Sequence, residues 1–320
     1  MGENAQTGHV RIVGAFAGLG SGLTKVAVGH GFDTVKTRMQ CSPPGTYRGA
    51  IDVLTKIVRN EGVLALYKGA TPPAVGWAAI DSVLLGSLHN YRLFLLRHGM
   101  TEAHPVTGRP RLTVLGHGVA GLLAGLTSAV IATPVELLKV KLQLQSQKAV
   151  VDRQFKGPID CARQIVRMQG FFGMWSGLTG SLAFRSNFFW MFLSVEVLMR
   201  SFSRLEGTPY AMSTGTANFL SGGFASFVYW GMAIPADNVK NRMMAYPYPR
   251  PFPSPSNAVD YTPARPSFIT VVRQTYAVQG IVGFYRGLTP TILRAFPVNA
   301  SALFVYEGVM RLLGAEETRH

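Results

Sequence analysis

The chain has 320 residues, with 31 Lys and Arg against 16 Asp and Glu, so its formal net charge is +15. The mean hydropathy of +0.19 and the high Gly and Pro content exclude a typical soluble domain. The bases are spread singly and the only cysteines are Cys41 and Cys161, so we expect neither a nucleic-acid partner nor a disulfide framework.

The first predicted element is a long helix over residues 10–39 that ends in the charged stretch GFDTVKTRMQ (31–40). This stretch returns as PVELLKVKLQ (134–143) and PADNVKNRMM (235–244), at the ends of helices predicted over 113–143 and 213–244. Each copy has an acid at its third position and bases at its sixth and eighth. The acids lie about 100 residues apart, which indicates a threefold internal repeat.

A second motif follows each charged stretch, as EGVLALYKG (61–69), QGFFGMWSG (169–177) and QGIVGFYRG (279–287). Each copy has glycine at its second and ninth positions and an aromatic residue at its seventh. A short amphipathic segment precedes this motif, and a second long helix is predicted after it, over residues 71–97, 177–203 and 288–313.

Small residues four positions apart precede each acid and favour close helix packing in lipid. They are Gly18 and Gly22, Gly121 and Gly125, and Gly222 and Ser226. We therefore predict one transmembrane domain made of the repeats 1–111, 112–212 and 213–320. The third repeat carries a Pro-rich insertion, 246–266, which is not expected to be helical.

Both motifs, each present three times, resemble those of the mitochondrial carrier family. The predicted sixth helix, RAFPVNASALFVYEGVMR (294–311), is similar to that of the carnitine/acylcarnitine and basic amino-acid branch. The resemblance implies an all-α membrane protein, with six transmembrane helices and short matrix helices in three pseudo-threefold repeats around a central cavity. It also implies alternating access in the mitochondrial inner membrane, with both termini toward the intermembrane space. We expect a monomer without a cofactor or a metal.

The resemblance assigns the charged stretches to a gate on the matrix side. Charges at the end of a membrane helix are costly unless they pair or face water, and threefold symmetry lets each acid meet a base of the next repeat. The predicted pairs are Asp33–Lys139, Glu136–Lys240 and Asp237–Lys36. The alternative is an ordinary set of solvated helix-end charges.

Two further features of this gate differ between the repeats. In the family a glutamine braces such a pair; Gln40 and Gln143 match this position, whereas Met244 does not. Gly31 stands where the other repeats have Pro134 and Pro235, so we expect the first helix to bend more softly.

The resemblance also implies a second gate at the cytoplasmic ends of the even helices, where the motif is an aromatic residue, an acid and a base. The matching residues are His89, Arg92, Glu196, Arg200, Glu307 and Arg311. The first copy lacks an acid and the other two have the base one residue late, so we expect a weak, partly formed ring.

Cardiolipin is the lipid that the resemblance places at the starts of the even helices. Its phosphates would be bound by the backbone N–H groups at Gly69, Gly177 and Gly287. Ser176 stands where the other copies have Lys68 and Arg286, so the second site has one cation fewer.

The substrate site is expected midway along the even helices, seven or eight residues after the last glycine of the second motif. The residues there are Gly76, Trp77, Phe184, Arg185 and Arg294. Arginines at membrane depth that face a cavity would bind a carboxylate; the alternative is that carbonyl groups brace them or that they reach the interface.

Asp81 is an isolated acid on the second helix and has two interpretations. It could meet a cationic group of the substrate, or it could neutralise Lys25 or an arginine. Aromatic residues at membrane depth are candidates either for cation–π contacts or for packing. They are Trp77, Trp190, Tyr229 and Trp230.

The first prediction for the substrate is an amino acid or a carnitine-like zwitterion. The Arg-acid pair typical of that branch is missing, since Ser186 follows Arg185, so neither carnitine nor ornithine is specifically indicated. A small mono- or dicarboxylate, a proton leak and a non-transporting scaffold are the alternatives. No phosphate loop, Cys/His metal spacing, His-Glu-x-x-His motif or nucleophile elbow is present, which disfavours an enzyme.

Overall fold

The computed structural model describes residues 2–43, 45–103, 108–146, 153–205, 207–209, 211–246, 266–294, 297–298, 301, 305 and 309, with side chains from residue 20 onward except 214 and 215. Two predicted gate residues, Glu307 and Arg311, lie outside the described residues. So does the Pro-rich segment at 247–265.

Nine α-helices have described bounds, and they follow the order that the repeats predict. They are α1 (Gly2–Cys41), α2 (Ala50–Glu61), α3 (Thr71–Arg97), α4 (Val114–Leu144), α5 (Pro158–Gln169), α6 (Leu178–Arg185), α7 (Phe188–Ser203), α8 (Thr214–Ala245) and α9 (Phe268–Gln279). A further helix, α10, has described helical residues 288–294, 297–298, 301, 305 and 309.

Each repeat begins with a long helix and continues with a short amphipathic helix, one turn of 3₁₀ helix and a second long helix. The 3₁₀ turns are Val63–Tyr67, Phe171–Trp175 and Ile281–Tyr285. Repeats 1 and 2 are joined through a small antiparallel hairpin of β1 (Thr101–Ala103) and β2 (Pro110–Leu112), in which Glu102 lies opposite Arg111.

Three described segments are long and apolar enough to cross a membrane, judged by length and composition. They are Val114–Leu144, Phe171–Ser203 and Thr216–Ala245. The short helix α2 buries Val53 and Ile57 on one face and leaves Ile51 exposed on the other. Such two-faced helices suit the boundary between a membrane and water.

Close packing through small residues is present in α4. A Cβ atom on Gly121 would lie 2.7 Å from the Phe188 carbonyl oxygen, and one on Gly125 would collide with the Arg185 carbonyl oxygen. No described atom lies within 4 Å of a Cβ built on Gly22 or Gly222, so close packing at these two glycines stays a prediction.

The long helix predicted over 177–203 is divided into α6 and α7 at Ser186 and Asn187. The Ser186 hydroxyl donates to the Ala183 carbonyl oxygen at 2.8 Å, and the Asn187 side chain donates to the same oxygen at 2.9 Å. Short polar side chains that bond to nearby carbonyl groups compete with the helical ladder. The break therefore lies directly after Arg185, one of the predicted substrate contacts.

Candidate functional site

Six charged side chains at the ends of α1, α4 and α8 form what we call the charged ring: Asp33, Lys36, Glu136, Lys139, Asp237 and Lys240. Each acid contacts a lysine of the next repeat, as the threefold pattern predicts. The Nζ–carboxylate distances are 2.5 Å for Lys139–Asp33, 3.0 Å for Lys240–Glu136 and 2.7 Å for Lys36–Asp237. The Asp237 side chain is only 3% exposed, so these are not solvated helix-end charges.

Every acid of the charged ring also contacts a second cation. Arg294 pairs with Asp33, Arg185 Nη2 lies 2.9 Å from Glu136 Oε1, and Lys240 Nζ lies 2.9 Å from Asp237 Oδ1. Five cations thus face three carboxylates, which leaves two positive charges in excess. The two arginines predicted to bind substrate are already engaged by acids of the ring.

An aromatic ring lies next to each lysine of the charged ring. The Nζ–centroid distances are 5.7 Å for Lys139–Trp77, 4.1 Å for Lys240–Phe184 and 4.6 Å for Lys36–Trp230. Cation–π attraction offsets part of the cost of burying these ammonium groups. The other two aromatic candidates pack on neighbouring rings, since Tyr229 contacts Phe184 and Trp190 contacts Phe189.

The two predicted braces make different contacts. Gln40 donates to Asp237 Oδ2 at 3.2 Å and accepts from Asn241 Nδ2 at 2.6 Å. Gln143 instead accepts from the Thr37 hydroxyl at 2.8 Å and donates to the Thr34 hydroxyl at 3.1 Å.

The described hydrogen bonds of Gln143 therefore do not reach the Asp33–Lys139 pair, contrary to its expected role as a brace. The reason is that Thr34 and Thr37 lie closer to its amide on the facing surface of α1. We call each contact between two neighbouring repeats a corner of the charged ring. At the third corner, between α8 and α4, Met244 is fully buried in an apolar cluster that also contains Val140.

The second bases of the first and third charged stretches have a role that the sequence did not suggest. Arg38 pairs with Glu61 and donates to the Gln143 carbonyl oxygen at 3.0 Å. Arg242 likewise donates to the Gln40 carbonyl oxygen at 2.9 Å and to the Gln279 side chain at 2.7 Å. These bases tie a short helix of their own repeat to the end of a long helix in the next.

Glu61 is the acid of this arrangement in the first repeat. Burial would raise its pKa, but hydrogen bonds from Arg38 and Lys68 outweigh burial and hold the pKa of Glu61 below its usual range. Glu61 is therefore charged at neutral pH.

The aromatic residue of the second motif reaches a backbone carbonyl of a long helix. Trp175 Nε1 donates to the Val130 oxygen at 2.8 Å, four residues before Pro134, which has no N–H to offer it. In the first repeat the Tyr67 hydroxyl donates to the Ala27 oxygen at 2.9 Å, four residues before Gly31. The helices run continuously through both positions, so these aromatic side chains have a role in helix packing that the sequence did not predict.

The glycines expected at the substrate and lipid sites lie at contacts between helices. A Cβ atom on Gly76 would lie 2.8 Å from Val135 Cγ1, so this residue packs α3 against α4. Gly69, Gly177 and Gly287 have φ values of +78°, +89° and +87°, which favour glycine. A Cβ on Gly69 would also lie 2.8 Å from the Lys139 carbonyl oxygen.

A cavity of about 120 Å³ lies against the charged ring and is lined also by Trp77, Phe184 and Arg294. Asp81 lies one helical turn beyond Trp77 on the same face of α3. Lys25 and Arg185 act on it electrostatically. Within the part of the chain that the structure describes, Asp81 has no hydrogen bond and no ion pair.

The opposite ends of the helices carry what we call the far-end cluster: Arg92, Glu102, Arg111, His117, Glu196 and Arg200. Arg200 Nε lies 2.6 Å from Glu196 Oε1 on the same helix, and Arg200 also pairs with Glu102 of the hairpin. Arg92 lies over the Phe192 ring at 5.5 Å, and its buried Nε has no described partner. His89 is exposed on α3. Glu102 and His117 were not among the predicted residues.

Three similar helical units that meet around buried, alternating charges define a membrane carrier rather than a soluble domain. A family model described as mitochondrial carrier protein matches residues 11–99, 110–206 and 212–317. The chain therefore belongs to the mitochondrial carrier family, whose members are transporters.

Several curated proteins are similar to the chain over almost its whole length. A mitochondrial substrate carrier family protein S of Dictyostelium discoideum is 32% identical over 304 residues, which cover 94% of this chain and 97% of the relative. A mitochondrial basic amino acids transporter of Bos taurus is 31% identical over 306 residues, with 95% and 93% covered. A mitochondrial arginine transporter of Arabidopsis thaliana is 31% identical over 310 residues, with 93% of both covered.

Proposed function

We propose that this chain moves an amino acid across the mitochondrial inner membrane by alternating access. The six long helices of the three repeats would span the membrane, with the division of α6 and α7 inside the fourth span, and both termini would face the intermembrane space. The charged ring would then be the matrix gate, closed in the conformation described here. Its role as a gate is supported by the three ion pairs that connect each repeat to the next.

Substrate binding can be coupled to this gate through the two arginines. Arg294 and Arg185 now bind Asp33 and Glu136 of the ring. A substrate carboxylate that takes either arginine would leave the ring acid with one cation fewer and so weaken the closed ring. A ligand shifts a conformational equilibrium only through such a difference in binding to the two states.

The choice of substrate depends on two observations: the charged ring with its two arginines has an excess of two positive charges, and Asp81 has no ion pair among the described residues. A carboxylate of the substrate would meet the arginines, and a cationic group would meet Asp81, since a lone intramembrane acid is stabilised by a counter-ion. Lys25 is the nearby cation that Asp81 would exchange for the substrate. The relatives named as transporters of basic amino acids or arginine support a basic amino acid.

Counter-exchange in proteoliposomes tests this proposal. Labelled arginine, lysine or ornithine should exchange, and malate should not. Asp81→Asn should lower exchange of the basic amino acids by about 10- to 100-fold, as expected for the loss of a charged contact. Asp52→Asn, which removes an exposed carboxylate on α2, is the matched control and should leave exchange unchanged.

Other outcomes would replace the proposal. Exchange of malate that does not change in Asp81→Asn would identify a carboxylate carrier. Proton flux without any counter-exchange would identify a leak, and the absence of both would identify a scaffold. Full exchange by Arg185→Ala and Arg294→Ala would contradict the role of the two arginines.

We also propose that cardiolipin binds the monomeric carrier at the starts of α3, α6 and α10. Backbone N–H groups at a helix start attract phosphate, and the exposed apolar residues beside them suit acyl chains. Added cardiolipin should raise the Tm of the detergent-solubilised protein more than phosphatidylcholine does. Equal shifts with both lipids would contradict specific binding.

A further inference from the structure

Arg200, near the end of α7, is held mainly by the hairpin that follows the first repeat. It pairs with Glu102 of β1, and its Nη2 donates to the Leu112 carbonyl oxygen of β2 at 2.8 Å. Glu196, one turn earlier on α7, supplies the remaining contact. The Arg200 side chain is only 14% exposed, so little of its charge is left for water.

Glu102 contacts an arginine of its own hairpin as well as Arg200. Glu102 lies opposite Arg111 across the two strands, and Arg111 Nη2 lies 2.8 Å from Glu102 Oε1. The Arg200 and Arg111 guanidinium groups together outweigh partial desolvation and hold the pKa of Glu102 below its usual range. The carboxylate is thus ionised while it contacts both Arg111 of its own hairpin and Arg200 of α7.

Helix α3 of repeat 1 has no acid at the position that could compete with the hairpin for Arg200. The charged ring shows that an acid of one repeat meets a base of the next, as Asp33 of repeat 1 meets Lys139 of repeat 2. At the opposite end, the first repeat has His89 where the second has Glu196. Nothing on the α3 helix therefore draws Arg200 away from the hairpin.

We propose that the β1–β2 hairpin is a latch, in which Glu102 holds Arg200 while the charged ring is closed and so biases the carrier toward that state. Closing the far end requires α7 to move relative to the hairpin, and the Glu102–Arg200 pair opposes this movement. The latch rests on the proposed function only in assuming two alternating states, because it does not depend on which substrate is carried.

Alkylation of a reporter cysteine tests the latch without any substrate. Val140→Cys, in a background with Cys41→Ser and Cys161→Ala, places a thiol at a buried position beside the charged ring. An impermeant maleimide reaches this thiol from the matrix side when the ring opens. Glu102→Gln should raise the alkylation rate about three- to fivefold, as expected for the loss of a partly exposed ion pair.

Two further variants distinguish a latch from a merely structural hairpin. Arg111→Gln loses a partner of Glu102 that does not contact α7, and it should leave the rate within about twofold of the reference because surface pairs contribute little. His89→Glu adds the missing competitor for Arg200 and should raise the rate further in Glu102→Gln.

An unchanged rate in Glu102→Gln, or an equal increase in Arg111→Gln, would overturn the latch. These comparisons are made between variants whose Tm is preserved. If the alkylation rates change as expected but no amino acid is exchanged, the proposed substrate is refuted and the latch still holds. The two proposals can therefore fail separately.

Discussion

The charged ring and the far-end cluster have similar numbers of acids and bases but pair them differently. In the ring, each acid meets a lysine of the next repeat, so the three repeats close on one another. In the far-end cluster, Arg200 meets an acid of its own helix and an acid of the neighbouring hairpin. A repeated pattern closes into a ring only where every repeat supplies the acid and the base at the same register.

The acids of the two regions also differ in burial, which decides how much each ion pair can contribute to stability. Asp237 is 3% exposed, whereas Glu102 is 36% exposed. A buried carboxylate that loses its charge leaves its cations without compensation, whereas an exposed one is replaced by water. The charged ring can therefore hold its end of the helices closed strongly, whereas the ion pairs of the far-end cluster are weaker and easier to exchange.

The largest expected effect comes from removing one acid in each region. Asp237→Asn leaves Lys36 and Lys240 without their nearest carboxylate and should destabilise the closed protein by about 3–5 kcal/mol. Glu196→Gln should cost less than about 1 kcal/mol, because the glutamate is partly exposed and Arg200 keeps Glu102. Thermal unfolding in one detergent gives both values. Similar losses for the two variants would erase the distinction between the regions.

A smaller effect is expected from giving the third corner of the charged ring the glutamine that the other two corners have. Met244→Gln buries an amide in an apolar cluster and should cost about 1–3 kcal/mol by itself. Val140 stands where the other corners have Thr37 and Asn241, the partners of Gln143 and Gln40.

Adding Val140→Asn should therefore recover at least half of that loss. A double-mutant cycle on the Tm measures this coupling between positions 140 and 244. If the two losses simply add, the third corner cannot form the hydrogen bond that the other two have.

The smallest effect concerns the glycine that replaces the proline in the first repeat. Gly31→Pro should cost less than the roughly 3 kcal/mol of a proline in a helix interior, because Tyr67 already donates to the Ala27 oxygen. Leu66 Cβ, the nearest atom to a Cβ added at Gly31, is 3.9 Å away, so the Cβ itself meets no clash.

Tyr67→Phe should then cost about 1 kcal/mol in the Gly31→Pro background and much less by itself, since Gly31 retains its N–H. The Tm values of the two single variants and the double variant measure this difference. An equal cost of Tyr67→Phe in both backgrounds would mean that its hydroxyl does not compensate for the missing N–H.

Much of the architecture was accessible from the sequence because it is repeated. The recurrence of an acid and two bases predicted three units, and the family match confirms this organisation. The helix bounds predicted for α3, α4 and α8 agree with the structure to within one residue. The break after Arg185 was missed, because it depends on the side chains of Ser186 and Asn187 bonding back to one carbonyl.

The candidate site was also predicted only in part. Threefold symmetry predicted which ring acid faces which lysine, since only the order of the repeats is needed. It did not predict that Arg185 and Arg294 would be bound to acids of the ring, nor that Phe184 would lie over Lys240. These contacts depend on the depth and rotation of each helix, which a residue count does not specify.

The number of repeats, the composition of the charged ring and the irregularity of its first copy can be read from the amino-acid order alone. Three contacts needed the folded chain: Gln143 with Thr37, Trp175 with the Val130 carbonyl oxygen, and Glu102 with Arg200. Periodic patterns record only which face of a helix is polar or apolar. The partner of a particular polar atom depends on which elements, distant in sequence, come within about 3 Å of it.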